Sequence, residues 1–137
     1  MGLRSSGAAR VLNLSNTSSL LQIATGSAVA SIAVHATWVD LGLASTTVGP
    51  GGQNSIIDAV GVTTVVPPPA AGVVRNVKFL SVQNTSGVAC DLAIRHSDGT
   101  TEVDLFEVNL KPGFTIQYNT DGIGFVVYDT TGALLWG

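Results

Sequence analysis

Charge is what this chain lacks most. Charged side chains make up 11% of its 137 residues, against about 25% in an ordinary soluble domain. A surface with so little charge is either finished with Ser, Thr, Asn and Gly or covered by other subunits. With apolar residues at 45%, subunit contact is the stronger expectation, because large apolar patches mark interaction sites. Basic runs are missing as well: six Lys and Arg stand against nine Asp and Glu, for a net charge of −3. That balance argues against nucleic-acid binding as the main task. The lone cysteine, Cys90, cannot form an intrachain disulfide, so the fold does not depend on an oxidising compartment. It alternates with Leu92 and Ile94 and reads as a buried structural thiol.

Marked catalytic chemistry is equally scarce. The chain has many serines but only two histidines, His35 and His96, and no Gly-x-Ser-x-Gly elbow. A nucleophile thus has no evident base or orienting group, and no enzyme is expected. The acidic residues Asp98, Glu102 and Asp104 lie close together, but their spacing is not that of a calcium loop, and solvated loop and strand faces are the simpler reading. Gly49-Pro50-Gly51-Gly52 lacks the Lys-Ser or Lys-Thr of a phosphate loop and reads as a turn. His35 has no spaced ligand partners and reads as a hydrogen-bonded structural residue. No cofactor and no metal are expected. The Asn-x-Ser/Thr matches at Asn13, Asn16 and Asn84 are of a kind that chance produces in so Ser-, Thr- and Asn-rich a chain.

What is present is β-strand patterning. Residues 73–119 show apolar positions recurring near a period of two, broken by turn chemistry at Ser97-Asp98-Gly99 and Lys111-Pro112-Gly113; this predicts a β-meander. The phase slips twice. Val77 and Phe79 share one face while Leu80 and Val82 take the other, and Val103 and Leu105 give way to Phe106, Val108 and Leu110. Each slip predicts a bulge or a strand covered on both sides. Further on, Asp121-Gly122 separates two strands and Asp129-Thr-Thr-Gly132 predicts a hairpin turn before the apolar end Leu134, Leu135 and Trp136.

Residues 20–43 are the most apolar segment, yet His35 and Asp40 interrupt them. A transmembrane reading is rejected in favour of a strand covered on both faces, with Ile32, Val34, Ala36 and Trp38 alternating with Ala33, His35, Thr37 and Val39. The triple proline Pro67-Pro68-Pro69 predicts an extended segment joining two strands. Residues 1–19 are small and polar without sustained period. They predict an extended arm and have no apolar core of the length a signal peptide needs. The start matches the myristoylation pattern through Gly2 and Ser6, one weak signal that does not carry a membrane expectation.

From Thr64 onward the succession Thr-Thr-Val-Val-Pro-Pro-Pro-Ala-Ala-Gly-Val-Val-Arg-Asn-Val-Lys-Phe-Leu-Ser-Val-Gln-Asn, then His-Ser-Asp-Gly-Thr-Thr-Glu-Val-Asp-Leu-Phe-Glu-Val-Asn-Leu and Gly-Phe-Val-Val-Tyr-Asp-Thr-Thr-Gly-Ala-Leu, resembles small β-rich structural proteins of tailed bacteriophages. The Leu-Gln-Ile-Ala-Thr and Trp38-Val39-Asp40-Leu41 stretches share the likeness. The resemblance implies a virion component, either a capsid decoration or cement protein or a tail, neck or fibre module that binds a receptor or glycan. No repetitive shaft is visible, which favours decoration. Taken together, the expectation is all-β: a single antiparallel β-sandwich, jelly-roll-like and of about eight strands, over residues 20–137, preceded by an arm over residues 1–19. The expected partner is the major capsid protein or another virion protein, with a homodimer or homotrimer and neither nucleic acid nor membrane. The contacts fall on the arm (Leu3, Arg4, Arg10, Val11, Leu12 and Leu14) and on the terminal edge (Leu134, Leu135 and Trp136).

Overall fold

The computed structural model describes residues 12–26, 31–43, 48–120 and 124–136. The fold is all-β: two antiparallel sheets packed as a sandwich. The strands are β1 (Leu12–Leu14), β2 (Leu20–Thr25), β3 (Ile32–Gly42), β4 (Val48–Ile57), β5 (Gly61–Val66), β6 (Val73–Asn84), β7 (Cys90–Ser97), β8 (Glu102–Leu110), β9 (Thr115–Asn119), β10 (Gly124–Tyr128) and β11 (Leu134–Trp136). Eleven strands replace the expected eight. The 20–43 segment divides into β2 and β3, the expected arm contributes β1, and Gly49-Pro50-Gly51-Gly52 lies inside β4 rather than in a turn. Proline is tolerated there because β4 is an edge strand, paired with β3 alone.

The larger sheet runs β11-β10-β9-β6-β3-β4, and the smaller runs β5-β2-β7-β8. β6 is the seam of the larger sheet. It pairs with β3 along one side, while β9 and β1 share its other side end to end, β9 at Phe79 to Gln83 and β1 at Arg75 to Val77. The expected meander over 73–119 is therefore not formed. β7 and β8 pair with each other in the smaller sheet, while β6 and β9 belong to the larger one. Alternation fixes which side of a strand is buried, and two strands facing one core from opposite sheets alternate alike.

Both phase slips are β-bulges. The β3–β6 register shifts between Thr37 and Trp38, leaving Lys78 as the extra residue between Val77 and Phe79. The β7–β8 register shifts between Ile94 and Arg95, leaving Leu105 between Asp104 and Phe106. Each bulge turns the apolar series back onto the core side. The predicted turns also form: Phe114 N–H donates to Lys111 O at 3.0 Å with Gly113 at a φ of 80°, and Asp129 N–H donates to Ala133 O at 2.9 Å across the β10–β11 hairpin.

The inward rows fill the sandwich. Ile32, Val34, Ala36 and Trp38 of β3 meet Leu21 and Ile23 of β2, Leu80 and Val82 of β6, and Leu92 and Ile94 of β7, all buried. Cys90 belongs to this core. On the β8–β10 side the filling is aromatic: Phe125 stacks on Phe106 of the opposite sheet with centroids 5.3 Å apart, and Tyr118 lies against the same ring at 5.3 Å. Tyr118 Oη accepts the Leu12 N–H at 3.2 Å, tying β1 to β9. Burial pushes the Tyr118 phenol above its ordinary pKa, partly offset by that N–H.

Candidate functional site

A densely connected polar group closes one end of the core. Arg75 on β6 faces Asp40 on β3, and the pair is bidentate, with Nε donating to Oδ1 at 2.8 Å and Nη2 to Oδ2 at 3.0 Å. Nη1 donates to Pro67 O at 2.8 Å, so the triple-proline segment is held over the end of the sandwich. The guanidinium carbon lies 4.5 Å from the centre of the Trp38 ring. That ring occupies the space a Cβ on Gly51 would take, which explains the glycine inside β4. With its donors taken up by Asp40 and the proline carbonyls, Arg75 clamps rather than binds. No sequence signal marked this cluster, since its members lie on three strands and a linker.

A second hub joins two loops. Asn84, wholly buried at the end of β6, donates through Nδ2 to Val88 O at 2.7 Å and Leu110 O at 2.8 Å. Its Oδ1 accepts from Ser86 N–H at 2.9 Å and Ser86 Oγ at 2.6 Å. Reading it as a chance glycosylation match concealed this structural role.

Several titratable side chains elsewhere are tied up in pairs and turns. Arg95 donates to Asp104 at 2.8 Å and reaches Glu102 at 3.4 Å. Asp98 Oδ1 accepts from the Thr100 and Thr101 N–H groups. Asp129 Oδ1 accepts from Thr131 Oγ1 at 2.7 Å, Thr131 N–H at 2.9 Å and Ala133 N–H at 3.0 Å. Among the described residues no group of three or more His, Cys, Asp and Glu is placed to hold a metal ion.

The turn carboxylates carry a pH prediction. The hydrogen bond from Thr131 Oγ1, helped by the two backbone donors, holds Asp129 below the ordinary carboxylate pKa of 3.8. The Thr101 and Thr100 N–H groups do the same for Asp98. A depressed folded pKa means that the turn's contribution to stability is present above pH ~4 and is lost as pH falls through the lower folded value. NMR titration of the side-chain carboxyl carbons is expected to show both groups titrating below the ordinary value, and Thr131→Ala to move Asp129 back towards it.

The two outward faces differ in charge. On the larger sheet the register aligns Asn54, His35, Ser81, Gln117 and Val126 in one row and Gly52, Thr37, Phe79, Asn119 and Gly124 in the next. A third row runs Ile56, Ala33, Gln83, Thr115 and Tyr128. None of these is Asp, Glu, Lys or Arg; Lys78 stands beside them, exposed at the bulge. His35 Nδ1 lies 2.6 Å from Asn54 Oδ1, joining β3 to β4 on this face. Ala33 and Ser81 lie beneath an open depression of about 370 Å³ beside them. The outward face of the smaller sheet is charged instead, with Asp91 opposite Asn109, Ala93 opposite Glu107 and Arg95 opposite Asp104. It carries an open depression of about 490 Å³ bordered by Asp91, Asp104 and Glu107.

The expected contact residues fare differently. Leu3, Arg4, Arg10 and Val11 lie outside the described residues. Leu12 is half-buried, and Leu14 is wholly buried in the core of its own chain. The assignment of Leu14 to a partner surface is thus corrected: as the inward residue of β1 opposite Arg75 it packs in the sandwich, which takes in part of the 1–19 stretch read as an arm. Leu134 and Leu135 are 55% and 48% exposed on β11, and Trp136 pairs through its backbone with Val127. Within its own chain β3 buries one face only, and His35 on the other is exposed.

No family model, no curated protein and no solved structure matches this chain.

Proposed function

We propose that this chain is a non-enzymatic structural protein of a bacteriophage virion, a capsid decoration protein that clamps neighbouring subunits of the major capsid protein. The observation that carries the reading is the rim of the sandwich. Large apolar side chains stand about half exposed or more at its ends and edges, among them Leu43 at 66%, Ile56 at 65%, Val60 at 57%, Val103 at 54% and Leu134 at 55%. Spread around the perimeter, they suit a body wedged between larger subunits better than one enclosing a small ligand. The resemblance of the sequence to small virion proteins supplies the particle. The mechanism is linkage: a protein that binds only the assembled shell stabilises it, by about 2.7 kcal/mol per site at a free concentration one hundred times Kd.

Two measurements test the proposal. Densitometry of purified particles is expected to give hundreds of copies per virion; a dozen or fewer would place the protein in the tail or neck. Deletion of residues 1–11, which spares the buried Leu14, combined with Leu134→Asp and Leu135→Asp at exposed positions, is expected to lower particle occupancy and heat resistance. Unchanged occupancy with a folded variant would remove the clamp.

A further inference from the structure

We infer that two copies of this chain pack face to face through the uncharged rows on the outer face of the seven-stranded sheet, forming a two-fold dimer with the β3 and β6 rows at its centre. The starting point is β3. Its sequence reads as a strand covered on both faces, yet only Ile32, Val34, Ala36 and Trp38 are covered by their own chain. The other face presents Ala33, His35 and Thr37 beside Ser81 and Phe79, with no carboxylate, ammonium or guanidinium in their rows. Lys78 stands exposed at the β6 bulge beside Phe79, and its long stem can carry the ammonium to water at the rim, so a second copy of the same face can cover these rows without burying an unpaired ion.

Three observations select this face over the alternatives. The outward face of the smaller sheet carries Asp91, Asp104 and Glu107 against the single cation Arg95, which Asp104 already pairs, on a chain of net charge −3, so two copies meeting there bring a net negative charge together and repel. Two of the four edge strands are guarded: β4 contains Pro50, and β8 places Glu102, Asp104 and Glu107 along its length, so edge-to-edge pairing through either is discouraged. Area is the third. β4, β3 and β6 lie side by side, a fourth position is shared by β9 and β1, and β10 follows. At about 4.8 Å between strands and about 3.3 Å per residue, this face measures on the order of 700 Å², near the roughly 800 Å² that each partner gives to a standard interface. The small side chains of Ala33 and Ser81 under the depression let the two sheets approach to the usual spacing of about 10 Å.

Face-to-face pairing of like surfaces is isologous and closes at two. The test uses the purified full-length chain and needs no capsid, so its result is independent of the decoration proposal. Analytical ultracentrifugation at about 100 μM is expected to find twice the monomer mass of 14.0 kDa. Ser81→Arg, and separately His35→Asp at a position already exposed in the single chain, are each expected to weaken dimerisation more than ~100-fold by burying a like-charged pair, with circular dichroism unchanged. Glu107→Arg on the opposite face is expected to leave the dimer intact. A monomeric or trimeric wild type overturns the inference. So does a folded His35→Asp variant that remains dimeric, or equal dissociation by Glu107→Arg.

Discussion

Replacing Asn84 by leucine is expected to lower the unfolding free energy by roughly 3–5 kcal/mol, read as a fall in the urea midpoint at unchanged slope. The size follows from what the amide holds. Its Nδ2 serves the carbonyls of Val88 and Leu110, and its Oδ1 serves both donors of Ser86. Leucine has nearly the same bulk and supplies none of these. Stranding buried polar groups costs about 1–3 kcal/mol apiece, less where water reaches them. The loss extends beyond one loop, because Nδ2 also holds Leu110 O at the end of β8, next to the turn whose Gly113 and Phe114 bond the Asn84 backbone. One residue thus anchors the 85–89 loop and the turn before β9, at the point where the chain leaves one sheet and later returns to it. Asn84→Asp keeps the acceptor and loses the donor, aiming a carboxylate at two carbonyl oxygens, and is expected to destabilise at least as much at neutral pH. A loss below about 1 kcal/mol for both variants would mean that the network is not what fixes these loops.

Trp38→Ala is the second large effect, about 3–5 kcal/mol. The indole is 7% exposed, lies over the Gly51 backbone and carries the Arg75 guanidinium on its face. Its removal opens a cavity and leaves the Arg75–Asp40 pair without its apolar floor. Gly51→Ala tests the same contact from the other strand. In the native protein the new methyl group enters the indole's space and is expected to cost about 1–3 kcal/mol. Combined with Trp38→Ala it is expected to cost little, so the double-mutant cycle shows coupling of at least about 1 kcal/mol. Additive effects would show that Gly51 serves the backbone of β4 rather than the ring.

These two sites show where the sequence is informative and where it is not. The bulges at Lys78 and Leu105 were legible because a bulge is a local event that leaves a phase slip in a run of apolar residues. The turns at Gly113 and Gly132 were legible for the same reason: positive φ, at 80° and 84°, selects glycine directly. Strand partnership is not local. β6, β7, β8 and β9 alternate as a meander would, and nothing in their residues says that β7 and β8 cross to the other sheet. Gly49-Pro50-Gly51-Gly52 misled because glycine and proline punctuate turns far more often than they make room for an indole on an edge strand. Leu14 misled because its surroundings are polar, and its burial depends on an edge of β6 that β9 leaves unoccupied. The outward face of β3 was legible in composition, as apolar and small positions on both sides, but composition cannot name what covers it.

The shared edge of β6 also sets the order in which the molecule can assemble. β1 has nothing to pair with until Arg75 to Val77 have been made, and β2 needs β5 and β7. The hairpins β3–β4, β7–β8 and β9–β10 close locally, but the first and last have a sheet to join only through β6, and the second only through β2. A topology dominated by such distant pairings belongs with the β-sandwiches that fold in milliseconds to seconds rather than microseconds. During synthesis β1 is therefore made well before the edge that receives it. Until β6 arrives, Leu12 and Leu14 remain uncovered apolar side chains on the nascent chain, available to any chaperone or neighbouring chain within reach.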